Sequence, residues 1–302
     1  MLINKIYKKI LGKIKFKQKT LKDWENKKYN KSPIFTFIIQ THNKSKSVCK
    51  IVDKLRKQRN SEIIVLDDGS NFKNSKKLYK KLTKANEFII RSNDLYECIT
   101  YNKAIKMSAG IYIALLQDDD DFDNLNWVKD AKDLFQKYDN MVILGGRDGI
   151  RFCKAEKDNS NEIGDYQIKD GFGQRKNLLK FEIESNSKFR FVQSVNRAPM
   201  WIRKKLFNKK LNEIDQEFAP FQWDDAELCL RANKNNLLVG LYDANFQTGE
   251  LGVGGMRIHN IKLTNFLDVR NAKKLYSKYE KHFIKFDDKI KISNENIAHK
   301  HK

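Results

Sequence analysis

The segment Gln117-Asp118-Asp119-Asp120-Asp121 follows directly on the apolar run Ile111-Tyr112-Ile113-Ala114-Leu115-Leu116. Four adjacent carboxylates therefore stand at the mouth of a buried strand. Two unit charges about 4 Å apart repel by roughly 4 kcal/mol at an effective dielectric near 20. A chain keeps such a cluster either as a solvated acidic turn or with something positive beside it. Hard divalent cations such as magnesium or manganese prefer oxygen ligands of this kind. Ligands in open α/β sheets bind beyond the carboxyl ends of strands, which favours the second reading.

A βα alternation surrounds that strand. Ile34 to Ile39 is almost continuously apolar, as a strand buried on both faces requires. The turn Thr41-His42-Asn43 leads to a helix over Ser45 to Lys57, with Val48, Ile51, Val52 and Leu55 on one face. A second strand, Glu62 to Leu66, ends in Asp67-Asp68-Gly69-Ser70. A helix over Lys73–Leu82, a short strand Phe88–Ile90 and a helix over Tyr96–Ser108 follow. This pattern predicts an α/β fold with a parallel, doubly wound sheet flanked by helices. Asp67, Asp68, Asp118 and Asp119 then share one edge. Asx residues at strand ends are also plain turn formers, so each cluster alone says less than the two together.

Past Phe122 the pattern loosens. A helix over Asn124–Lys137 precedes the strand Met141–Leu144, and residues 155–175 are polar and irregular, which suits a mobile loop. Asp224 and Asp225 suit the first turn of a helix, where the macrodipole favours negative charge. Simple N-terminal capping accounts for the same pair. The segment Gly249 to Arg257 is rich in glycine, and its amides are suited to phosphate oxygens.

The chain of 302 residues carries 60 Lys+Arg against 38 Asp+Glu, a formal net charge of +22. That balance favours anionic partners. Hydrophobic residues at 40% are enough for a globular core and exclude a disordered chain. Cys49, Cys98, Cys153 and Cys229 are far apart, so neither a zinc site nor a disulfide framework is expected. No apolar run reaches the length that spans a bilayer.

Residues 1–31 carry eleven lysines and two acids, Asp23 and Glu25. Leu2, Ile3, Ile6, Tyr7, Ile10, Leu11 and Ile14 recur at helical spacing, with lysines between them. Such a basic amphipathic arm reads as an interfacial anchor for an anionic leaflet through residues 1–19. Packing on the protein's own core and contact with nucleic acid are the other two readings.

Taken in order, Ile38-Ile39-Gln40-Thr41-His42-Asn43, Ile64-Val65-Leu66-Asp67-Asp68-Gly69-Ser70, Asn93, Asn102-Lys103-Ala104-Ile105, Gly110 to Asp120 and Asp224 to Arg231 resemble the family-2 glycosyltransferases of the GT-A fold. The resemblance covers about residues 33–235. It implies a Rossmann-like, mostly parallel sheet with a C-terminal acceptor-side region. Residues 32–125 would form the nucleotide-sugar-binding half and 126–285 the acceptor-binding and catalytic half of the same domain, leaving 286–302 as a polar tail. The implied activity is transfer of a sugar, with inversion, from a nucleotide-sugar, UDP-linked for preference. Thr41, His42, Asn43, Asp67, Asp68, Asn102 and Asp118 would bind the donor, with His42 against the base. Asp119 and Asp120, with His259 late in the chain, would hold Mn2+ or Mg2+. Asp225 matches the catalytic base and Asp224 the acid before it. Gln117 departs from the family, which often has the first Asp of its DxD motif there.

The implied acceptor is a glycan or lipid-linked molecule in bacterial lipooligosaccharide or capsule synthesis. The expected location is cytoplasmic, at the inner face of the plasma membrane. A metal-dependent phosphodiesterase and a non-catalytic basic protein binding nucleic acid or membrane are the alternatives. Basic residues interleaved with exposed aromatics, as in RNA-binding modules, are absent outside the core runs, so no nucleic-acid partner is expected.

Overall fold

The structure, a computed structural model, describes residues 32–153, 165–167, 174–178, 189–197, 199–248 and 259–299. The amino-terminal arm and the glycine-rich segment lie outside the described residues. So does residues 155–175, except for 165–167 and 174–175, which are strand.

The amino-terminal half runs β1 (Phe35–Thr41), α1 (Ser45–Leu55), β2 (Ser61–Asp68), α2 (Phe72–Lys81), β3 (Glu87–Ser92), α3 (Tyr96–Met107) and β4 (Tyr112–Gln117). All begin and end within two residues of the bounds expected from the sequence. The chain continues through β5 (Asp120–Asp121), α4 (Asn126–Lys137), β6 (Met141–Gly145), β7 (Gly149–Cys153), β8 (Asp165–Gln167), β9 (Gln174–Leu178), β10 (Phe189–Phe191), β11 (Ser194–Val195) and β12 (Met200–Arg203). It closes with α5 (Lys204–Lys210), α6 (Asp224–Lys234), β13 (Leu238–Tyr242), β14 (Gln247–Thr248), α7 (Ile261–Tyr279) and α8 (Phe283–His299).

Eight strands form one sheet in the order β10-β13-β6-β12-β4-β1-β2-β3. β4, β1, β2 and β3 are mutually parallel, so their carboxyl ends share an edge. β12 runs antiparallel to both β4 and β6, and β10 antiparallel to β13. The sheet is mostly parallel, and both halves of the chain contribute to it. β11, β7, β9 and β8 form a second small sheet, and β14 pairs with β5.

Every residue of β1 is buried, and successive side chains enter opposite layers. Ile38 joins Ile64, Leu66 and Leu115 beneath Cys98, Tyr101, Ala104 and Ile105 of α3. Phe37 and Ile39 join Val65 and Leu116 beneath Val48, Ile51, Val52 and Leu55 of α1. Burial of one such aliphatic side chain stabilises by about 1.5–3 kcal/mol, so the two layers fix the register of the central strands.

α8 covers the β10 end of the sheet. Asn294 accepts from the amide of Phe191 at 2.7 Å and returns a bond to its carbonyl at 3.0 Å. Phe286 is buried, and Ile290 and Ile297 pack on the core. The boundary expected at 285/286 therefore falls inside a packed helix, because residues 286, 290 and 297 continue an apolar stripe that needs a partner. Among the described residues no helix is long and apolar enough to cross a membrane.

Candidate active site

β1 delivers His42 to the common edge of the sheet, where it is 7% exposed. The ring is held from both sides. Nδ1–H donates to the carbonyl of Asp68 at 2.7 Å, and Nε2 accepts from the Asn43 amide at 2.9 Å. Asn43 adopts a left-handed φ of 60°, a conformation Asn tolerates better than most residues. The His42 backbone amide donates to Asp118 Oδ2 at 3.0 Å, which locks the end of β1 to the end of β4.

The Asp67-Asp68-Gly69-Ser70 turn is built on internal bonds. Asp68 Oδ1 accepts from Ser92 Oγ at 2.7 Å and from the amide of Leu95 at 3.1 Å, while Oδ2 accepts from the amide of Tyr96 at 2.7 Å. The carboxylate, fully buried, thereby satisfies donors at the start of α3. Gly69 has φ +76°, and a Cβ there would lie 3.2 Å from Asp94 Oδ1 and 3.6 Å from His42 Cε1. Asp67 Oδ2 accepts from Ser75 Oγ at 2.6 Å, while its Oδ1 and Thr41 Oγ1 are buried without partners.

Asn102, expected at the donor, ties two segments together. It donates to the carbonyl of Ile214 and accepts from its amide, both at 2.8 Å. Both ends of the side chain are engaged in tying α3 to the segment before α6. Its position on the buried face of α3 is the reason.

The acidic turn divides its four carboxylates. Asp118 is buried and holds His42. Asp120 is buried and closes the turn, accepting from the amide of Gln117 at 2.9 Å. Burial pushes its carboxyl up to about 8, with the amide opposing and the neighbouring Asp119 and Asp118 reinforcing. Asp121 is exposed and pairs with Lys54 at 2.5 Å. Asp119 is half-buried, and its Oδ1 is a buried acceptor without a partner. An orphaned hard oxygen among carboxylates fits a magnesium- or manganese-sized cation. β14 pairs with β5 beside this turn.

His259 stands elsewhere on the edge. Its Nε2 lies 2.8 Å from Asp94 Oδ1, and its ring centroid lies 3.9 Å from that of His42. The ligand atoms of His42, Asp94 and His259 all lie within 4.8 Å of one another. Among the described residues, Asp119 and Asp120 are not gathered with His259 into one such cluster.

α6 starts on a strained turn. Gln222 and Trp223, neither of them glycine, have φ of 73° and 65°, and such residues cost on the order of 1–3 kcal/mol each. α7 over-determines the turn. Asn271 Nδ2 donates to the carbonyls of Phe218, Phe221 and Gln222 at 2.9 Å each, and Trp223 Nε1 donates to Asp268 at 2.7 Å. The first two helical residues are Asp224 and Asp225. Asp224 is 1% exposed and bonded to the guanidinium of Arg197, whereas Asp225 is half-exposed. Burial raises the Asp224 carboxyl and Arg197 opposes that rise. Of the pair, Asp225 is the more exposed.

Arg197, Glu97, Asp94 and Asn271 were not singled out in the sequence. Each meets partners far along the chain, and no local spacing marks them. Asp94 carried the one available signal, standing next to Asn93 in a segment the resemblance covered.

A mostly parallel sheet whose edge carries a clamped aromatic ring, a carboxylate cluster and a second carboxylate pair at a helix start is an α/β architecture of the GT-A type. The sequence model of glycosyl transferase family 2 matches residues 36–210, and the chain belongs to that family. Among solved structures, GalNAc-T7 with UDP, GalNAc and Mn2+ is similar at TM-score 0.53 and 11% identity, over 84% of this chain and 56% of that one. S. aureus TarS residues 1–349 in complex with UDP aligns at TM-score 0.46 and 16% identity, over 70% of this chain and 58% of that one. The same TarS fragment with UDP-GlcNAc gives 0.45 and 16%, over 70% and 56%. The chain thus spans less than three fifths of the length of these structures. No curated protein matches the sequence.

Proposed function

We propose that this protein transfers a sugar from a UDP-linked donor to a glycan or lipid-linked acceptor, with inversion and with Asp225 as the base. One observation carries the reading. A continuous chain of contacts links the two carboxylate sites, from Asp224 through Arg197 and Glu97 to Gln117, beside Asp118. Single displacement needs a donor clamp and a base held in fixed relation on one edge. The acceptor hydroxyl oxygen attacks the anomeric carbon as the bond to the diphosphate breaks, and Asp225 takes the hydroxyl proton. Such a base contributes typically 10²–10⁴-fold.

His42 would lie against the nucleobase, oriented by Asp68 and Asn43. Asp119 would hold Mn2+ or Mg2+, with Asp118 fixing the turn behind it. When bound, the ion supplies Lewis-acid stabilisation of the leaving diphosphate. The basic amphipathic pattern of residues 1–19 supports an anionic inner-leaflet location and a bacterial surface glycan as product.

The test is incorporation of label from a panel of radiolabelled nucleotide-sugars into lipid-extractable glycan. UDP-linked donors are expected to label it, and Asp225→Asn protein is not. Label remaining in the nucleotide-sugar for every donor would refute the transferase reading.

A further inference from the structure

We propose that Arg197 is the positioning residue of transfer, setting the Asp224-Asp225 pair against the donor edge of the sheet. The inference rests on the transferase reading above. Arg197 lies between β11 and β12, is 7% exposed, and touches three elements at once. Nη1 donates to Glu97 Oε2 in the first turn of α3, and Nη2 donates to Asp224 Oδ2 at the start of α6. The guanidinium carbon lies over the Tyr101 ring, 5.0 Å from its centroid.

Two further contacts carry this grip to the donor edge. Tyr101 donates its hydroxyl to the carbonyl of Leu116 at 3.0 Å, and Gln117 Nε2 lies 3.5 Å from Glu97 Oε1. Both acceptor and donor side thus hang on one planar fork. Only arginine offers diverging donors and a stacking face together; a lysine ammonium can satisfy one carboxylate at that distance but not the fork.

A purely structural staple is the competing account. Buried ion pairs are weak devices for stability, since well-packed apolar residues often do as well or better. This network also holds two carboxylates against one cation and leaves Arg197 Nε buried without a hydrogen-bond partner. Atoms orphaned in that way recur at functional sites. The charged and titratable groups facing Asp224 are Arg197, Asp225, Glu97, Cys98 and Tyr101. Without Arg197, the carboxylates beside Asp225 lose their counter-charge.

The experiment compares the full-length parent with Arg197→Lys and Arg197→Met. It reads cooperative unfolding, UDP affinity with manganese, and turnover of the labelled donor against pH. The expected result for Arg197→Met is a kcat lower by about 10²-fold, unchanged UDP affinity, and an acid limb of the rate profile moved to higher pH. Arg197→Lys should recover part of the rate, and it carries the test alone if Arg197→Met does not fold. Parental kcat and an unmoved acid limb in a folded variant would overturn the inference while leaving transfer standing. Lost rate together with lost UDP affinity would mark a structural staple and also overturn it. A parent that transfers nothing would remove the transferase reading and, with it, any place for Arg197 in transfer.

Discussion

The amide of His42 bonds Asp118 Oδ2 across the ends of β1 and β4 at 3.0 Å. One carboxylate thereby holds both the ring proposed for the base and the acidic turn proposed for the metal. Asp118→Ala should weaken UDP binding and lower stability by about 1.5–3 kcal/mol, the contribution of a hydrogen bond to a charged group. Asp118→Asn keeps an acceptor and should lose less. Calorimetry on the two variants checks the order.

Asp225→Asn should lower kcat by about 10²–10⁴-fold while leaving UDP affinity at the parental value. Turnover within a few-fold of the parent, measured as label transferred per minute, would take the proton-accepting role away from Asp225.

Asn271→Ala removes the donor that holds three carbonyls of the strained turn before α6. Buried acceptors left unpaired cost about 1–3 kcal/mol, so the melting temperature should fall. The kcat should fall as well, because the turn delivers Asp224 and Asp225, whereas UDP affinity should hold. Thermal unfolding beside single-turnover kinetics separates these outcomes.

Glu87 predicts a pH dependence. Burial acts to raise its carboxyl, and the bond from Arg56 with the amides of Lys84 and Thr83 outweighs it, holding Glu87 below its ordinary value of 4.5. Arg56 grips both oxygens, at 2.6 and 2.8 Å. A carboxyl depressed in the folded state contributes stability above its unfolded value and loses it as pH falls through the folded one. Glu87→Gln should therefore destabilise by about 1.5–3 kcal/mol at neutral pH. The gap to the parent should close as pH drops below about 4.5. Urea unfolding at a series of pH values follows it.

The central strands were legible because β1 and β2 are buried on both faces, which leaves near-continuous apolar runs with no competing helical period. Asp67, Asp68, Asp118 and Asp119 were legible as an edge cluster because strand ends in a parallel sheet must coincide. Their division of labour was not. Asp68 and Asp118 sit on backbone amides contributed by other segments, and nothing local distinguishes them from the half-buried Asp119, the proposed metal ligand. Asn102 clamps Ile214, a partner 112 residues away in sequence, and no local spacing announces that contact. His259 was expected beside Asp119 and Asp120, yet its ring lies 3.9 Å from that of His42 and its Nε2 meets Asp94, with α7 beginning just after it. The tail after residue 285 read as polar because its apolar residues fall every third or fourth position, a spacing that only a packed helix makes meaningful.

The most direct measurement is calorimetric titration of the full-length protein with UDP, with and without manganese, in the parent and in Asp119→Ala. Binding that manganese strengthens in the parent, and fails to strengthen in Asp119→Ala, is the predicted result. A folded parent that binds no UDP under either condition would contradict the account.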